Sequence, residues 1–216
     1  MKYLKIYVLR SRLLKDGNLA FFKVKNLQFF DKNFFVTEIR RYLLLDLESW
    51  NITNVMFFVT NNLKNTSTFH VVHNFLGLEE LKQSLLEITK KFKLLRFKLC
   101  SKSYQGNKFF AVLNAFEVKD FLSGDIIFPP HLKLLNSREL LFTKISFNIT
   151  LKILLKIEAK KASFQKPIKR LNLIIEKDEF FDNYMIFDLT TDGSVTPFNA
   201  FIKALQSSNL VTLTNA

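Results

Sequence analysis

Three short segments of the chain carry apolar residues at the three- and four-residue spacing of an amphipathic helix, and the runs between them have strand-like composition. The spacing predicts helices at about residues 33–48 and 78–90, and a third helix that begins at Pro197. No tract rich in Pro, Gly or Ser marks a linker, and no segment repeats at a fixed period. This mixture of strands and short helices predicts an α+β fold.

Runs of apolar and β-branched residues that end at turn residues predict the strands. They are Lys2–Val8, Leu19–Phe30, Asn54–Thr60, Leu94–Cys100, Lys108–Asn114, Leu140–Phe147, Thr150–Ala159, Ile168–Glu176 and Tyr184–Leu189. The turn sequence that ends the series, Thr191-Asp192-Gly193-Ser194, contains a glycine suited to positive φ.

The first and third predicted helices each have one apolar stripe. The stripe of the first helix consists of Phe35, Ile39, Leu43 and Leu47, and that of the third consists of Phe198, Phe201, Ile202 and Leu205. Asp31 or Asn33 can cap the first helix, and Thr196 can cap the third, which opens with Pro197. Spacing alone favours packing of both stripes inside one chain, although a second copy of the chain could cover part of them.

The chain has a net charge of +13, from 32 Lys and Arg against 19 Asp and Glu. A basic balance points to a polyanionic partner, and nucleic acid comes first. The basic residues are scattered, however, and abundant Phe, Lys and Asn with little Ala, Gly and Arg is what an AT-rich coding sequence, as in an organelle genome, would produce. Two interpretations therefore stay open: a nucleic-acid footprint, and a solvated surface shaped by codon bias.

Residues that could carry out chemistry are few and dispersed. His70 and His73 lie three apart in a segment of poor helical character without clustered carboxylates, so we expect no metal site. Cys100 is the single cysteine, which excludes an internal disulfide, and no His lies near it in sequence to activate it as a nucleophile. The residues predict no catalytic site and no cofactor, and uncharged stretches such as Asn51–Asn62 are too short to span a membrane.

Two stretches resemble a known family. Residues 37–46, Thr-Glu-Ile-Arg-Arg-Tyr-Leu-Leu-Leu-Asp, followed by Ile-Thr-Asn-Val at 52–55, are similar to the helix-and-strand signature near the start of the alpha subunit of bacterial-type RNA polymerase. Residues 77–80 and 85–90 resemble that family's next helix. Residues 166–172 and the run 191–197, Thr-Asp-Gly-Ser-Val-Thr-Pro, resemble its later strand and the turn before its last amino-domain helix, and Gly124-Asp125-Ile126 lies in order between the two stretches.

The chain also departs from the family pattern. Val36 stands where the family has a glycine before its first helix, and residues 158–163 replace a glycine-rich stretch. The resemblance covers the amino-terminal part of an alpha subunit, so we expect the carboxyl-terminal DNA-binding domain to be absent.

The resemblance implies a two-part architecture and a homodimer. Residues 1–48 and 166–216 would form a dimerisation part, and residues 49–165 an inserted α+β part. The two apolar stripes would then face the partner chain as well as their own sheet, which reverses the preference taken from spacing alone.

The resemblance further implies a non-catalytic scaffold that assembles the beta and beta-prime subunits of an organellar polymerase, which we expect in the plastid stroma. The beta and beta-prime subunits would carry the magnesium and the chemistry, and DNA would be reached only through the complex. Residues expected to bind the beta subunit are Arg40, Arg41, Lys90 and Arg170. The alternative is a divergent organelle-encoded ribosomal protein that binds rRNA through its lysines.

Overall fold

The structure is a computed structural model that describes residues 4–14, 17–25, 31–61, 68–100, 106–161, 166–177 and 183–207. The chain divides into two compact units, which we call the end unit (residues 1–49 and 161–216) and the central unit (residues 50–160). The resemblance implies divisions after residues 48 and 165. That the end unit serves dimerisation stays a prediction.

The helices and strands follow one another in mixed order along the chain. They are β1 (Lys5–Leu14), β2 (Gly17–Lys25), α1 (Lys32–Arg41), β3 (Glu48–Asn61), β4 (His70–Val72), α2 (Leu85–Lys93), β5 (Phe97–Leu99), β6 (Lys108–Ala115), β7 (Asp120–Leu122), β8 (Leu132–Leu134), β9 (Leu140–Thr143), β10 (Ile149–Lys161), β11 (Ile168–Lys177), β12 (Asn183–Thr191) and α3 (Pro197–Ser207). The fold class is α+β, as the sequence predicted. No helix in the described part of the chain has both the length and the apolar character that a membrane crossing requires.

The end unit is built on a four-stranded antiparallel sheet in the order β1-β2-β12-β11. Its central pair joins strands from opposite ends of the chain, from Met185 opposite Val24 to Thr191 opposite Asn18. Gly17 opens β2 directly against this partner strand. A Cβ at that position would lie 1.9 Å from the carbonyl oxygen of Thr191, so a side chain cannot be accommodated there without moving the backbone.

The core of the end unit lies between this sheet and its two helices. Phe201 of α3 stacks on Phe22 of β2 with ring centroids 4.6 Å apart, and its ring also contacts Phe187 of β12 at 5.0 Å. Phe35 of α1 meets Phe187 edge-on at 6.4 Å. All four rings are fully buried, so the two helices are held to the sheet by an aromatic cluster.

The first helix begins where the sequence predicted but ends differently. Asp31 is the cap, and its carboxylate accepts hydrogen bonds from the backbone N–H groups of Asn33 at 3.0 Å and Phe34 at 3.3 Å. After Arg41 the chain widens into a π turn over Tyr42–Asp46. Apolar residues four apart drift by about 40° per step around an α-helix. The wider turn counters this drift and keeps Leu47 buried.

The third helix confirms its predicted start. The hydroxyl of Thr196 accepts a hydrogen bond from the backbone N–H of Asn199 at 3.3 Å, and Pro197 is the first helical residue. Gly193, in the preceding turn, has φ of 93°. That conformation strongly favours glycine, as the turn sequence indicated.

The central unit has a sheet in the order β4-β3-β10-β6 and two smaller antiparallel ladders, β5 with β8 and β7 with β9. Its core combines residues of these strands with the buried side of α2, which contributes Leu85, Ile88 and Phe92. Lys144 is fully buried in this unit, and its ammonium group donates to the carbonyl oxygens of Ala115 at 3.0 Å and Phe116 at 2.9 Å. Burial lowers the pKa of Lys144.

The second helix was predicted too early. It begins after Ser84, whose hydroxyl caps the N–H of Glu87 at 3.3 Å, and not at residue 78. Leu81 has helical spacing for another reason: it is buried and forms an isolated bridge with Lys144. The spacing of apolar residues cannot distinguish a buried residue within a helix from a buried residue just before it.

Several strand bounds also differ from the prediction. The strands predicted at 94–100 and 140–147 are shorter in the structure, where they are β5 and β9. The three-residue strands β4, β7 and β8 were not predicted, because three residues are too few to show an alternation of apolar and polar side chains. β1 extends to Leu14, and β2 begins at Gly17, whereas residues 26–30 of the predicted second strand lie outside the described residues. The second half of β1 is exposed throughout and therefore carries no periodic signal.

We expect Phe201→Ala to lower the free energy of unfolding by about 3–5 kcal/mol, because it removes the ring that contacts both Phe22 and Phe187. Urea denaturation at matched protein concentration measures the change. The control is Phe116→Ala, since that side chain is 58% exposed and its loss should cost about 1 kcal/mol or less. Equal losses of unfolding free energy in the two variants would contradict the packing of Phe201 on Phe22 and Phe187.

Candidate subunit-binding surface

Arg41 is the last residue of α1, and its side chain is 60% exposed. Two carboxylates of the same unit lie beside its guanidinium group. Glu38, one turn earlier, is 3.7 Å from Nη1, and Asp46, at the end of the π turn, is 3.6 Å from Nε. The guanidinium is thus flanked by acidic groups on two of its nitrogens while most of it faces solvent.

Asp46 is itself held by a residue from a distant part of the chain. The ammonium group of Lys161, the last residue of β10, donates to Oδ1 of Asp46 at 2.5 Å across 115 positions of sequence. This hydrogen bond is the main cause that lowers the pKa of Asp46, and the charges of Lys161 and Arg41 act in the same direction. We call Glu38, Arg41, Asp46 and Lys161 the ionic cluster.

The ionic cluster forms part of the wall of a pocket of about 440 Å³. The pocket is lined by Glu38, Arg41, Tyr42, Asp46, Glu48, Lys161 and Ser207. Burial raises the pKa of the Tyr42 hydroxyl, and the charges of Glu48 and Asp46 add to that effect. The lining thus combines three carboxylates and two cations with a neutral phenol, which suits charged and hydrogen-bonding side chains rather than an apolar ligand.

The other predicted cationic residues lie in different places. Arg40 is exposed and precedes Arg41 on α1. Lys90 is exposed in the last turns of α2, in the central unit, where Lys91 and Lys93 add to the positive charge at the helix carboxyl end. The structure therefore places Arg40 and Arg41 on one helix and Lys90 in the other unit.

Arg170 lies on β11, and its side chain is 63% exposed. Its Nη2 is 3.0 Å from Oδ2 of Asp188, a largely buried residue on the neighbouring strand β12. With the amide oxygen of Asn172 turned toward the guanidinium, that oxygen accepts from Nη2 at 2.7 Å and from Nε at 2.9 Å. Arg170 is thus fixed on the sheet by two neighbours and remains accessible to solvent.

The residues predicted at the dimer interface divide into two groups. Those fully buried in the core of the single chain are Phe35, Ile39, Leu43, Leu47, Phe201 and Leu205. Ile202 is partly buried against the same core, and Phe198 is 52% exposed. Of these residues, only Phe198 and Ile202 have surface with which to contact a second copy of the chain. The buried residues could affect a dimer only indirectly, by holding the helices in place.

Three members of the ionic cluster were not predicted from the sequence. Glu38 could have been found, because it lies three residues before Arg41 on a predicted helix and opposite charges at that spacing are neighbours. Asp46 and Lys161 could not, because their meeting with Arg41 depends on the π turn and on the path of β10.

Known proteins similar to this chain cover almost its whole length. A protein of Euglena longa is 43% identical over 97% of this chain and 99% of its own length, and one of Euglena anabaena is 30% identical over 98% of each. Both are named DNA-directed RNA polymerase subunit alpha. The chain belongs to the family of RNA polymerase alpha subunits.

A third alpha subunit, from Angiopteris evecta, is 27% identical over 81% of this chain and 52% of its own length. No protein-family model matches the chain. As an alpha subunit the chain is part of a DNA-directed RNA polymerase and takes part in transcription. The comparisons give no support to the ribosomal alternative.

Side chains that could bind a metal do not gather in the described part of this alpha subunit. No group of three or more His, Cys, Asp or Glu residues there could hold a metal ion. His70 and His73 are exposed, and the ring of His73 stacks on Phe75 at 5.2 Å. Cys100 is exposed as well.

We expect Asp46→Asn to reduce the dependence of stability on pH in acid. Because the pKa of Asp46 is lower in the folded chain than its ordinary value of 3.8, its carboxylate stabilises the fold above that value. This contribution is lost as the pH falls through the folded pKa. Unfolding by urea should show the variant less stable than the wild type near neutral pH, with the difference vanishing in acid.

The control for this measurement is Glu79→Gln, which removes an exposed carboxylate with no ion pair among the described residues. It should leave the pH dependence of the wild type unchanged. A constant difference between wild type and Asp46→Asn across the acid range would contradict the role of the Asp46 carboxylate.

Proposed function

We propose that this alpha subunit carries no catalytic site of its own and acts as a dimeric scaffold on which the beta and beta-prime subunits of an organellar polymerase assemble. The observation that carries the proposal is an exposed Arg41, flanked by Glu38 and Asp46 at the edge of a pocket, in a chain whose family is established. The expectation taken from the resemblance assigns this arginine to beta-subunit docking.

Docking through Arg41 is physically reasonable. A guanidinium group presents five N–H donors in a planar fork that matches a carboxylate, and it stays charged at any physiological pH. The chain's own carboxylates face Nε and Nη1 at 3.6 and 3.7 Å, which leaves the contact weaker than a full hydrogen bond. A partner carboxylate can therefore bind the same guanidinium through its Nη2 donors, which make no ion pair among the described residues. Arg40, Lys90 and Arg170 supply further exposed positive charge for such a partner.

The proposed dimer would use the exposed parts of the end-unit helices. Phe198 and Ile202 lie four residues apart, so they share one side of α3. Phe34 on α1 and Leu45 on the π turn are also more than half exposed. These apolar side chains lose contact with water if a second copy packs against them, and α3 contacts both α1 and the π turn.

The catalytic and DNA-binding roles are assigned to other subunits. We infer that the beta and beta-prime chains carry the magnesium and the nucleotidyl transfer, that this chain needs no cofactor, and that DNA is reached through the complex. The support is the family resemblance together with scattered rather than clustered lysines on this chain.

We propose that the protein is located in the plastid. The relatives come from Euglena species and from Angiopteris evecta, which supports an organelle, and the composition of the chain suits an AT-rich organelle genome. The plastid stroma is the more specific proposal.

We expect Arg41→Ala to give a folded chain that binds the beta subunit weakly. Loss of a charged hydrogen bond at an interface costs about 2–5 kcal/mol when its partner stays buried. Reconstitution of the polymerase from separate subunits, followed by size-exclusion chromatography, measures capture of the beta chain. Arg12→Ala is the control, because Arg12 is an exposed arginine of β1 in the same unit. Normal capture by Arg41→Ala would refute this docking role.

For dimerisation, the informative substitution is Phe198→Ala, since Phe201→Ala would disturb the core first. If Phe198 is a central contact, its truncation costs about 2 kcal/mol, or roughly a 30-fold weaker dimer. Sedimentation equilibrium over a range of concentrations measures the dissociation constant, with Phe116→Ala in the central unit as the control. A wild-type chain that stays monomeric at high concentration would contradict the dimer proposal altogether.

A further inference from the structure

The side chains of the ionic cluster contact one another in turn, so that each member touches only one or two of the others. Lys161 holds one oxygen of Asp46 by a 2.5 Å hydrogen bond, and the other oxygen of Asp46 faces Nε of Arg41 at 3.6 Å. Glu38 faces Nη1 of the same guanidinium at 3.7 Å. The chain of contacts therefore runs from Lys161 through Asp46 to Arg41.

We propose that Asp46 and Lys161 form a positioning pair that fixes the Arg41 guanidinium in the orientation in which it binds a carboxylate of the partner subunit. The inference rests on the docking role proposed above for Arg41. Neither member of the pair needs to touch the partner: Asp46 orients the arginine, and Lys161 prevents Asp46 from rotating away.

The π turn makes this arrangement possible. Leu47 N–H donates to the carbonyl of Tyr42 at 2.8 Å, which closes the wide turn and directs Asp46 back toward Arg41. Turns of this kind are rare and occur often at functional sites. Here the turn brings the carboxylate to the end of α1 without any interruption of the apolar stripe, because Leu43 and Leu47 remain buried.

The arrangement also leaves the arginine able to bind. Among the described residues its ion pairs use Nε and Nη1, so the Nη2 donors remain for an incoming carboxylate. An exposed arginine that is free to rotate must lose that freedom on binding, whereas one that is already oriented loses less. Pre-orientation is therefore expected to strengthen binding without any new contact to the partner.

The test is a double-mutant cycle on the full-length chain with the full-length beta subunit of the same polymerase, read as the dissociation constant by biolayer interferometry. Asp46→Asn should weaken binding about 3- to 10-fold, the effect of releasing one long side chain. Lys161→Met should weaken it by less. In the Arg41→Ala background, Asp46→Asn should have no further effect, because Asp46 acts only through Arg41.

A swapped variant separates positioning from a general effect on the fold. Asp46→Lys with Lys161→Asp restores an ion pair between positions 46 and 161 but places a cation beside Arg41. We expect its unfolding free energy to recover relative to Asp46→Lys alone, while beta binding stays weak. Lys152→Met, at another exposed lysine of β10, is the matched control for Lys161→Met and should bind as the wild type does.

Three results would overturn the inference. The first is unchanged binding by Asp46→Asn. The second is equal weakening by Asp46→Asn in the wild-type and Arg41→Ala backgrounds, which would indicate direct contact or a fold defect. The third is full recovery of binding by the swapped variant. Failure of the docking role itself is distinguishable, since Arg41→Ala alone would then bind the beta subunit like the wild type.

Discussion

The pairing of β2 with β12 is the interaction on which the rest of the end unit depends. It joins residues 18–24 to residues 185–191, so the two ends of the chain form one sheet, and residues 50–160 fold as a separate unit. Closing so long a loop is entropically costly, and burial of apolar residues on the sheet offsets that cost. Phe22 and Phe187 of the aromatic cluster belong to these two strands, and Phe201 of α3 packs on both.

The same sheet determines which helix residues stay available to partners. Because α1 and α3 bury most of their apolar stripes in the core of the end unit, the surface keeps the arginines that end α1 and a few apolar side chains such as Phe198. Arg41 lies at the boundary between these two kinds of surface. The buried Leu43 and Leu47 anchor the turn that carries Asp46, so packing and electrostatics at this site are set by the same few residues.

Local chemistry explains which elements could be predicted. Asp31, Thr196, Pro197 and Gly193 act through hydrogen bonds or backbone angles of their immediate neighbours, and the structure confirms each of them. The predicted start of α2 was wrong because Leu81 is a core residue that lies before the helix, where its backbone forms a bridge with Lys144. The fully buried Lys144 was not anticipated either, since its acceptors are the backbone carbonyls of Ala115 and Phe116, which are distant in sequence.

The sequence by itself determined the α+β class, the cap of the third helix and two candidates for that of the first, the apolar stripes and the family to which the chain belongs. These features depend on spacing, on turn residues and on ordered motifs, all of which can be read along the chain. Only the tertiary structure decided which stripe residues are buried, where α1 widens into a π turn, and that Lys161 meets Asp46 beside Arg41. Those outcomes depend on contacts between residues far apart in sequence, and the spacing of residues along the chain does not predict such contacts.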